Sequence, residues 1–520
     1  MKYLNVIFGI SLIIILTGCE KYWDEHYKTQ PETVNINVWD AIQNESNLSS
    51  FVQYIKDFKY DTLFLRDDGY TLFVPDNEAF AQFVDTGVVT ASLLDYHISV
   101  HVIQSGNIQG KRKIQTRAEK FALFEKFNNA SLFDGIMLNF ESPLYLNGKY
   151  FIMNKVALPK PNLYEYYAAN NPILKDYIDS QDSIILDKEK SKPIGFDEFG
   201  NTIYDTVSEI YNEFEVEFFP VREEFRNKTA TIVFPKEYDY NNALTIMAQS
   251  LGAPLQDYND IPLGWQYDVL IPYLLVNGVF ENMVEESEFI KLDPEDTLKL
   301  KNILGDSIII DYQPAEKAIC SNGYAYNYTD FIIPDTLFSG STRLEGEWLL
   351  DESGVNKFVW NENIKVNSTV SFEPIQELIS TGVYKASNDS ILRVSFTKGY
   401  TGTYTVEFNA YSFQAENLLP RKYLMVIETN MDCGGIYNIY VNDELVTTFD
   451  YYTFIRLRGL NYSVTGKRYI NEGRFNKFDC WVENIAEYGM AKIKFEYIGP
   501  STLVLSNGLA IDYIEFIPSE

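Results

Sequence analysis

The strongest constraint on this chain is a pattern written twice, 160 residues apart. Thr71-Leu72-Phe73-Val74-Pro75-Asp76-Asn77-Glu78-Ala79-Phe80 reads as a short buried strand stopped by proline, with a helix starting after it. Thr231-Ile232-Val233-Phe234-Pro235 repeats that grammar, and a helix is expected over 239–247. Leu93-Leu94 ahead of Tyr96-His97 is echoed by Leu274-Leu275 ahead of Asn277-Gly278. Asn147-Gly148 precedes Pro159 by twelve residues, and Asn322-Gly323 precedes Pro334 by the same twelve. Asn-Gly is the strongest short hairpin signal, because both residues tolerate the positive φ of a type I′ turn, so each pair is expected to turn a hairpin. A unit written twice implies two like domains, and 520 residues leave room for a third.

Apolar residues at helical spacing over 47–58 predict a helix, with Asn47, Ser49 or Ser50 as its N-cap. A similar helix over 163–178 would open the second copy, and Pro159-Lys160-Pro161 makes a short, stiff junction between the two. In order, the three motifs resemble the fasciclin (FAS1) domain, whose landmarks are similar to 71–80, to Tyr96-His97 and to the stretch 148–159. The resemblance covers about 37–158. A divergent copy at about 162–337 has extra stretches near 179–219 and before 274, and lacks the Tyr-His pair. It implies β-wedge domains decorated by helices, and adhesion or scaffolding rather than catalysis. It also implies that Tyr96 and His97 are structural, packed and hydrogen-bonded.

From about residue 339 the pattern becomes two-residue alternation. Strands are expected over 391–396, 403–408, 423–429, 436–441, 444–449, 491–497 and 511–517, with Asn442-Asp443 as a tight hairpin. Many short strands with polar turns indicate a β-sandwich or jelly roll. The runs 435–442, 491–495 and 510–516 resemble a galactose-binding-like jelly roll, closest to the family 6 type of carbohydrate-binding module. Such modules stack sugars on aromatic faces in a loop cleft and hydrogen-bond them with an amide. Carried over by position, Trp481, placed in the loop before 491–497, is the stacking candidate, and Asn507 is the amide. Tyr451 and Tyr452 are further glycan-binding candidates. Two alternatives stand beside these: Trp481 as a core residue beside Cys480, and Asn507-Gly508 as a turn.

At the other end, Lys2 and an apolar run at 6–16 form a leader too short to span a bilayer as a stable helix. Leu16-Thr17-Gly18-Cys19 follows and resembles a bacterial lipobox, which implies cleavage before Cys19 and lipidation of its thiol. The acidic stretch 20–25 resembles the surface-export segment of Bacteroidetes lipoproteins. The expectation is a lipid-anchored outer-membrane protein facing the cell exterior, touching the membrane through its anchor only.

The expected fold is therefore multidomain: two α+β FAS1 β-wedge domains, the second divergent, then an all-β jelly-roll sandwich. Residues 1–18 are the lipoprotein signal peptide, 19–36 a surface tether, 37–160 and 161–338 the FAS1 domains, and 339–520 the sandwich. With 43 basic against 73 acidic residues the net charge is −30, and loss of Lys2 with the leader makes it −31. That balance argues against nucleic acid, which needs a positive footprint, and against adsorption on anionic lipid. Besides Cys19 there are Cys320, Cys433 and Cys480, and Cys433–Cys480 is the expected disulfide because both lie in the last module.

The only histidines are His26, His97 and His101. His97 and His101 would share a face if helical, but no carboxylate or cysteine stands at metal-ligand spacing around them, so no metal or cofactor is expected. No nucleophile elbow, P-loop, dinucleotide fingerprint or HExxH occurs, and Asp257-x-Asn259-Asp260 lacks calcium-loop spacing. An enzyme is not expected. Seven Asp-(Ser/Thr)-apolar triplets occur where composition predicts roughly one or two, with hydroxyls at Thr62, Ser183, Thr206, Thr297, Ser307, Thr336 and Ser390. They resemble the O-glycosylation site of Bacteroidetes secreted proteins, and read equally as turns feeding strands. The function expected is capture of extracellular polysaccharide beside an outer-membrane uptake transporter. The alternative is adhesion, with the FAS1 pair contacting protein or matrix.

Overall fold

The run ahead of Pro75 forms strand β1 (Tyr70–Pro75), buried along its whole length in the computed structural model. That structure describes residues 32–519 except 66–67, 129, 188–189, 206, 292–296, 329, 347–368, 380–381, 396–403, 410–417, 431–433, 453–461, 465–466, 473–474, 484, 490 and 502–507. Contacts divide the chain into two units, Met1–Val233 with Gly278–Tyr326, and Phe234–Asn277 with Asn327–Glu520.

In the first unit β1 lies in a seven-stranded sheet with β2 (Ile98–Ser99), β3 (Gly110–Gln115), β4 (Phe121–Phe127), β5 (Ala130–Phe133), β6 (Ile136–Glu141) and β7 (Gly148–Met153). The order is β2-β1-β7-β6-β5-β4-β3, with β1 and β7 parallel. An isolated bridge from Ser99 to Thr116 ties the two ends, so the sheet curls on itself. Alternation sends Leu72 and Val74 into one core, with Trp39, Phe51 and Ile55 of the flanking helices, and Phe73 into another, with Phe124, Phe133 and Phe151.

The second copy uses the same devices. Ala230–Val233 runs parallel to Gly323–Tyr328 and antiparallel to Val279–Glu281. Tyr70 faces Gly148 as Ala230 faces Gly323. A Cβ on Gly148 would sit 2.1 Å from the Tyr70 carbonyl oxygen, and one on Gly323 would sit 2.0 Å from that of Ala230. Thr71 donates to the His101 carbonyl and accepts from the Ile103 N–H, both at 2.8 Å. Thr231 does the same with Asn282 and Val284, also at 2.8 Å.

Both Asn-Gly pairs stand at hairpins, where Tyr145 bridges Gly148 and Pro314–Cys320 neighbours Gly323–Tyr328 across a two-residue turn, but neither turn is type I′. Neither Asn147 nor Asn322 has the positive φ such a turn requires. The glycines permit the parallel strands to approach, and the asparagines cap distant helices. Asn147 accepts from the Val38 N–H at 3.0 Å and donates to the Phe64 carbonyl, while Asn322 accepts from the Leu163 N–H at 2.8 Å and donates to that of Val221. Val38 and Leu163 are the first residues of the helices that open the two copies, Val38–Gln43 and Leu163–Asn170. The helix expected over 163–178 is two, Leu163–Asn170 and Pro172–Ser180, because Pro172 cannot donate to the preceding turn.

Charge pairs also join the copies within this unit. Glu285 binds Lys111 at 2.6 Å and Lys317 at 2.5 Å, and accepts from the Tyr324 hydroxyl at 2.9 Å. Burial opposes ionisation of Glu285, but those three hydrogen bonds outweigh it and hold the carboxyl down at about 2. Lys120 meets Glu165 at 2.5 Å. The extra stretch of the second copy forms two antiparallel ribbons, Asp182–Leu186 with Ser208–Asn212 and Lys192–Phe196 with Thr202–Asp205.

In the second unit the sandwich has a six-stranded sheet, in the order Thr342–Glu345, Tyr513–Pro518, Tyr423–Asn430, Phe475–Val482, Lys467–Glu472, Tyr462–Val464. A four-stranded sheet runs Tyr404–Asn409, Lys492–Gly499, Ile436–Val441, Glu444–Asp450, and a three-stranded one Thr369–Ile379, Gly382–Ser395, Gly508–Ile511. One apolar core takes Met425, Ile427 and Phe516 from the first and Ile439, Val441 and Phe495 from the second. Phe449 and Phe478 meet across it with ring centroids 4.9 Å apart. Asn442 and Asp443 both have positive φ, so this hairpin is the two-residue turn that the sequence suggests.

Candidate functional site

His97 ends the helix Ala91–Tyr96 and is buried. Its Nδ1 lies 2.8 Å from the Leu93 carbonyl, and its Nε2 accepts from the Ala157 N–H at 3.1 Å, so both ring nitrogens serve the backbone. Burial lowers its pKa to about 4, which keeps the ring neutral near pH 7. The Tyr96 hydroxyl donates to the Asp134 carboxylate, which also accepts from the Leu123 N–H at 2.7 Å. Burial, with Asp134 beside it, raises the tyrosine pKa. The helix stops before His97, so the shared helical face with His101 does not form, and His101 is exposed.

Of the residues nominated for a sugar cleft, Tyr451 and Trp481 do not converge. Tyr451 belongs to the core at 1% exposure; its hydroxyl bonds Thr429 and lies 3.2 Å from the Ala510 carbonyl, and its ring packs edge-on to Phe449. Trp481 stands in strand Phe475–Val482 opposite Leu424, not in a loop, and at 38% exposure it is not core. Strand parity explains this: Phe478, Cys480 and Val482 point inward, leaving Trp481 on the outer face of its sheet. The Lys422 ammonium lies 4.7 Å from the Trp481 ring centroid and pairs with Glu483 at 2.8 Å. Tyr452 is half-buried and its N–H donates to Asp450 at 2.9 Å. One tyrosine faces inward and the tryptophan outward, so they cannot line one cleft.

Asn507, Cys433, Cys19 and Thr206 lie outside the described residues. Cys480, the partner expected for Cys433, is buried. Of the triplet hydroxyls, Thr62, Ser183, Thr297, Ser307 and Thr336 belong to exposed residues, and Ser390 falls within strand Gly382–Ser395.

A different group does assemble, on the outer face of the four-stranded sheet. Tyr437, Ile439 and Val441 are buried, which turns Asn438 and Tyr440 outward; Ile493, Phe495 and Tyr497 do the same for Lys494 and Glu496. Tyr440 and Asn438 both donate to Oε2 of Glu496, at 2.8 and 2.9 Å, and Thr448 donates to Asn438 Oδ1 at 2.9 Å. Lys494 lies 4.3 Å from the Tyr440 ring centroid. The hydrogen bond to Glu496 raises the Tyr440 pKa and keeps its hydroxyl protonated. An aromatic ring, an amide, a carboxylate and a hydroxyl thus share one half-exposed face, fixed by their own bonds. The sequence carried the signal, since Asn438 and Tyr440 are the polar-parity positions of the run 435–442.

Residues 46–156 match the fasciclin domain family. No curated protein sequence matches the chain. Among solved structures it is similar to the FAS1 domain pair of the insect cell adhesion molecule fasciclin I, at 12% identity over 56% of this chain and 98% of that one, TM-score 0.21. It is similar to the C-terminal family 6 carbohydrate-binding module of LamC, a marine laminarinase from Zobellia galactanivorans, at 13% identity over 34% and 99%, TM-score 0.17. A family 11 carbohydrate-binding module from Clostridium thermocellum also matches, at 10% identity over 35% and 96%, TM-score 0.20.

Proposed function

We propose that the chain is a lipid-anchored protein of the outer cell surface that binds extracellular glycan and is accessory to polysaccharide uptake. On this reading it is a binder and not an enzyme, built from two FAS1 domains and a jelly-roll module. The observation that carries it is the outward group Tyr440, Asn438, Glu496 and Thr448. Its ring offers a face for sugar C–H groups, and its fixed polar atoms can orient hydroxyls. Only Oε2 of Glu496 is used in those bonds among the described residues, which leaves Oε1 for a ligand.

The test is a glycan array with the chain from residue 20 onward, followed by titration of any hit. Tyr440→Ala is expected to weaken binding about tenfold, ~1.4 kcal/mol. Trp481→Ala, on the opposite sheet, is expected to leave it unchanged. A silent array, or equal affinity with Tyr440→Ala, overturns the reading. The second reading, adhesion through the paired repeats, is supported by the fasciclin match at 46–156 and by the charge pairs that join the copies. Retention of cell or matrix adhesion by a chain that binds no glycan would favour it.

A further inference from the structure

A cavity of about 270 Å³ opens in the first unit where the curled sheet of the first repeat fails to close. Beyond the Ser99–Thr116 bridge, the segment 101–108 parts from β3, which has no partner strand on that side among the described residues. Because β3 is the edge strand, consecutive residues from both of its faces, Arg112 to Gln115, reach the cavity wall. Arg226 of the second repeat completes the lining.

The charge of this cavity is opposite to that of the chain. Arg112, Lys113 and Arg226 line it with His101, and no aspartate or glutamate does so among the described residues, although the chain carries 73 acidic residues against 43 basic ones. Arg112 and Arg226 are exposed, and neither forms an ion pair among the described residues. The Lys113 ammonium is shut from solvent without a hydrogen-bond partner, and burial lowers its pKa to about 8. Glu224, the carboxylate whose charge reaches Lys113, is engaged by Ser321 and lies 4.0 Å from Lys120. Two exposed guanidinium groups without an ion pair among the described residues, and an ammonium that has only the Phe121 ring 5.4 Å away and the charge of Glu224, surround one void and form a site that a bound anion would neutralise.

The rest of the lining narrows the anion. Gln104, Asn107 and Gln115 supply amides that can bond hydroxyls, and Ile103 and Ile108 supply apolar wall. The volume suits one pyranose ring. The second repeat shows that the fold does not impose this charge. There Asn282 takes the Thr231 bond that His101 takes from Thr71, and the neighbouring cavity is lined by Glu215 and Glu281 with Lys228.

We infer that the cavity between β3, the segment 101–108 and Arg226 binds a single hexuronic acid, free or at a chain end, its carboxylate held by the two arginines. The site is separate from the Tyr440 face and does not rest on that reading.

The test uses the chain from residue 20 onward with galacturonate, glucuronate, a short oligogalacturonide, galactose and inorganic sulfate as probes. Saturation-transfer NMR would detect binding and calorimetry would measure it. Binding of a uronate, or of the oligomer through its end, with galactose at least tenfold weaker, is the expected result. Arg226→Ala and Arg112→Ala together should weaken it at least tenfold. Arg226→Lys should recover only part, since an ammonium cannot form the paired bonds of a guanidinium. Tyr440→Ala should leave uronate binding unchanged, which separates failure here from failure of the sheet face. Uronates binding no better than galactose, sulfate competing as well as uronate, or an unaffected double arginine variant would each overturn the assignment.

Discussion

Thr71→Val should loosen the wall of the uronate cavity, and Thr231→Val should not, although both remove the same device. Thr71 is fully buried, and its hydroxyl holds the His101 carbonyl and the Ile103 N–H, each at 2.8 Å. Valine keeps the shape and strands both groups. A buried group left without a partner costs about 1–3 kcal/mol, and the added methyl returns about 0.8 kcal/mol. With two groups stranded, less the methyl, the net cost is about 1–5 kcal/mol, which multiplies local opening of 98–108 roughly tenfold or more. Hydrogen exchange read by mass spectrometry on peptides from that segment measures the change directly. Thr231→Val should do the same to the segment after Val279–Glu281, where Asn282 and Val284 lose their bonds. Because His101 and Ile103 line the cavity, only Thr71→Val should also weaken uronate binding. Thr71→Ser keeps the hydroxyl and should cost only about 1 kcal/mol for the lost methyl. If exchange in Thr71→Val stays within about 0.5 kcal/mol of the parent, or serine proves as damaging as valine, the hydroxyl is not what holds the loop.

Gly148→Ala and Gly323→Ala place a Cβ about 2 Å from a backbone carbonyl oxygen, so each should cost roughly 3 kcal/mol or more and lower the melting temperature of its own repeat; calorimetry resolving the transitions would check this. His97 is neutral when folded, with a pKa of about 4 against an ordinary 6.5, so the unfolded chain binds the extra proton. Stability of the first repeat should therefore fall as pH drops from 6.5 towards 4, by at most ~3 kcal/mol in urea titrations, and His97→Gln should flatten that slope. The Glu285 carboxyl is depressed to about 2, so its contribution is full above 4.5 and is lost as pH falls towards 2. Glu285→Gln should remove that acid-dependent step from hydrogen exchange around Lys111 and Lys317. Intact mass of the protein from its native host would test the exposed triplets, because a mass equal to the polypeptide, with or without an anchor lipid, dismisses glycosylation at Thr62, Ser183, Thr297, Ser307 and Thr336.

What the sequence revealed and what it hid divide along the range of the interaction. The strand ending at Pro75, the hairpin at Asn442-Asp443 and the alternation of 436–441 were legible because local sterics and parity decide them. Asn147-Gly148 does mark a hairpin, with Tyr145 bridged to Gly148 across a two-residue turn, but not by type I′ geometry. Its glycine answers a parallel strand 78 residues upstream, and its asparagine caps a helix start 109 residues upstream, needs that no local rule expresses. Strand Phe475–Val482 escapes a sequence reading because Asn476, Lys477 and Asp479 interrupt its apolar count, so Trp481, expected in a loop, lies instead on the outer face of a sheet. The helix Ser49–Asp57 was found, but its first-turn N–H at Ser50 is capped from outside by Asn77 at 2.8 Å, not by a residue of its own segment.

The binding groups follow the same rule. Tyr440 and Asn438 stand two apart in one strand, yet they become a site only through Glu496, whose strand is paired beside theirs after a 56-residue excursion. Arg112 and Arg226 are 114 residues apart, and in sequence each is one cation among 43. What selects them is the gap at the edge of β3, a consequence of how far the sheet curls before Ser99 meets Thr116. The failure to close is thus what creates the site, and the Thr71 bonds, which pin His101 and Ile103 to β1 instead of β3, are what hold it open.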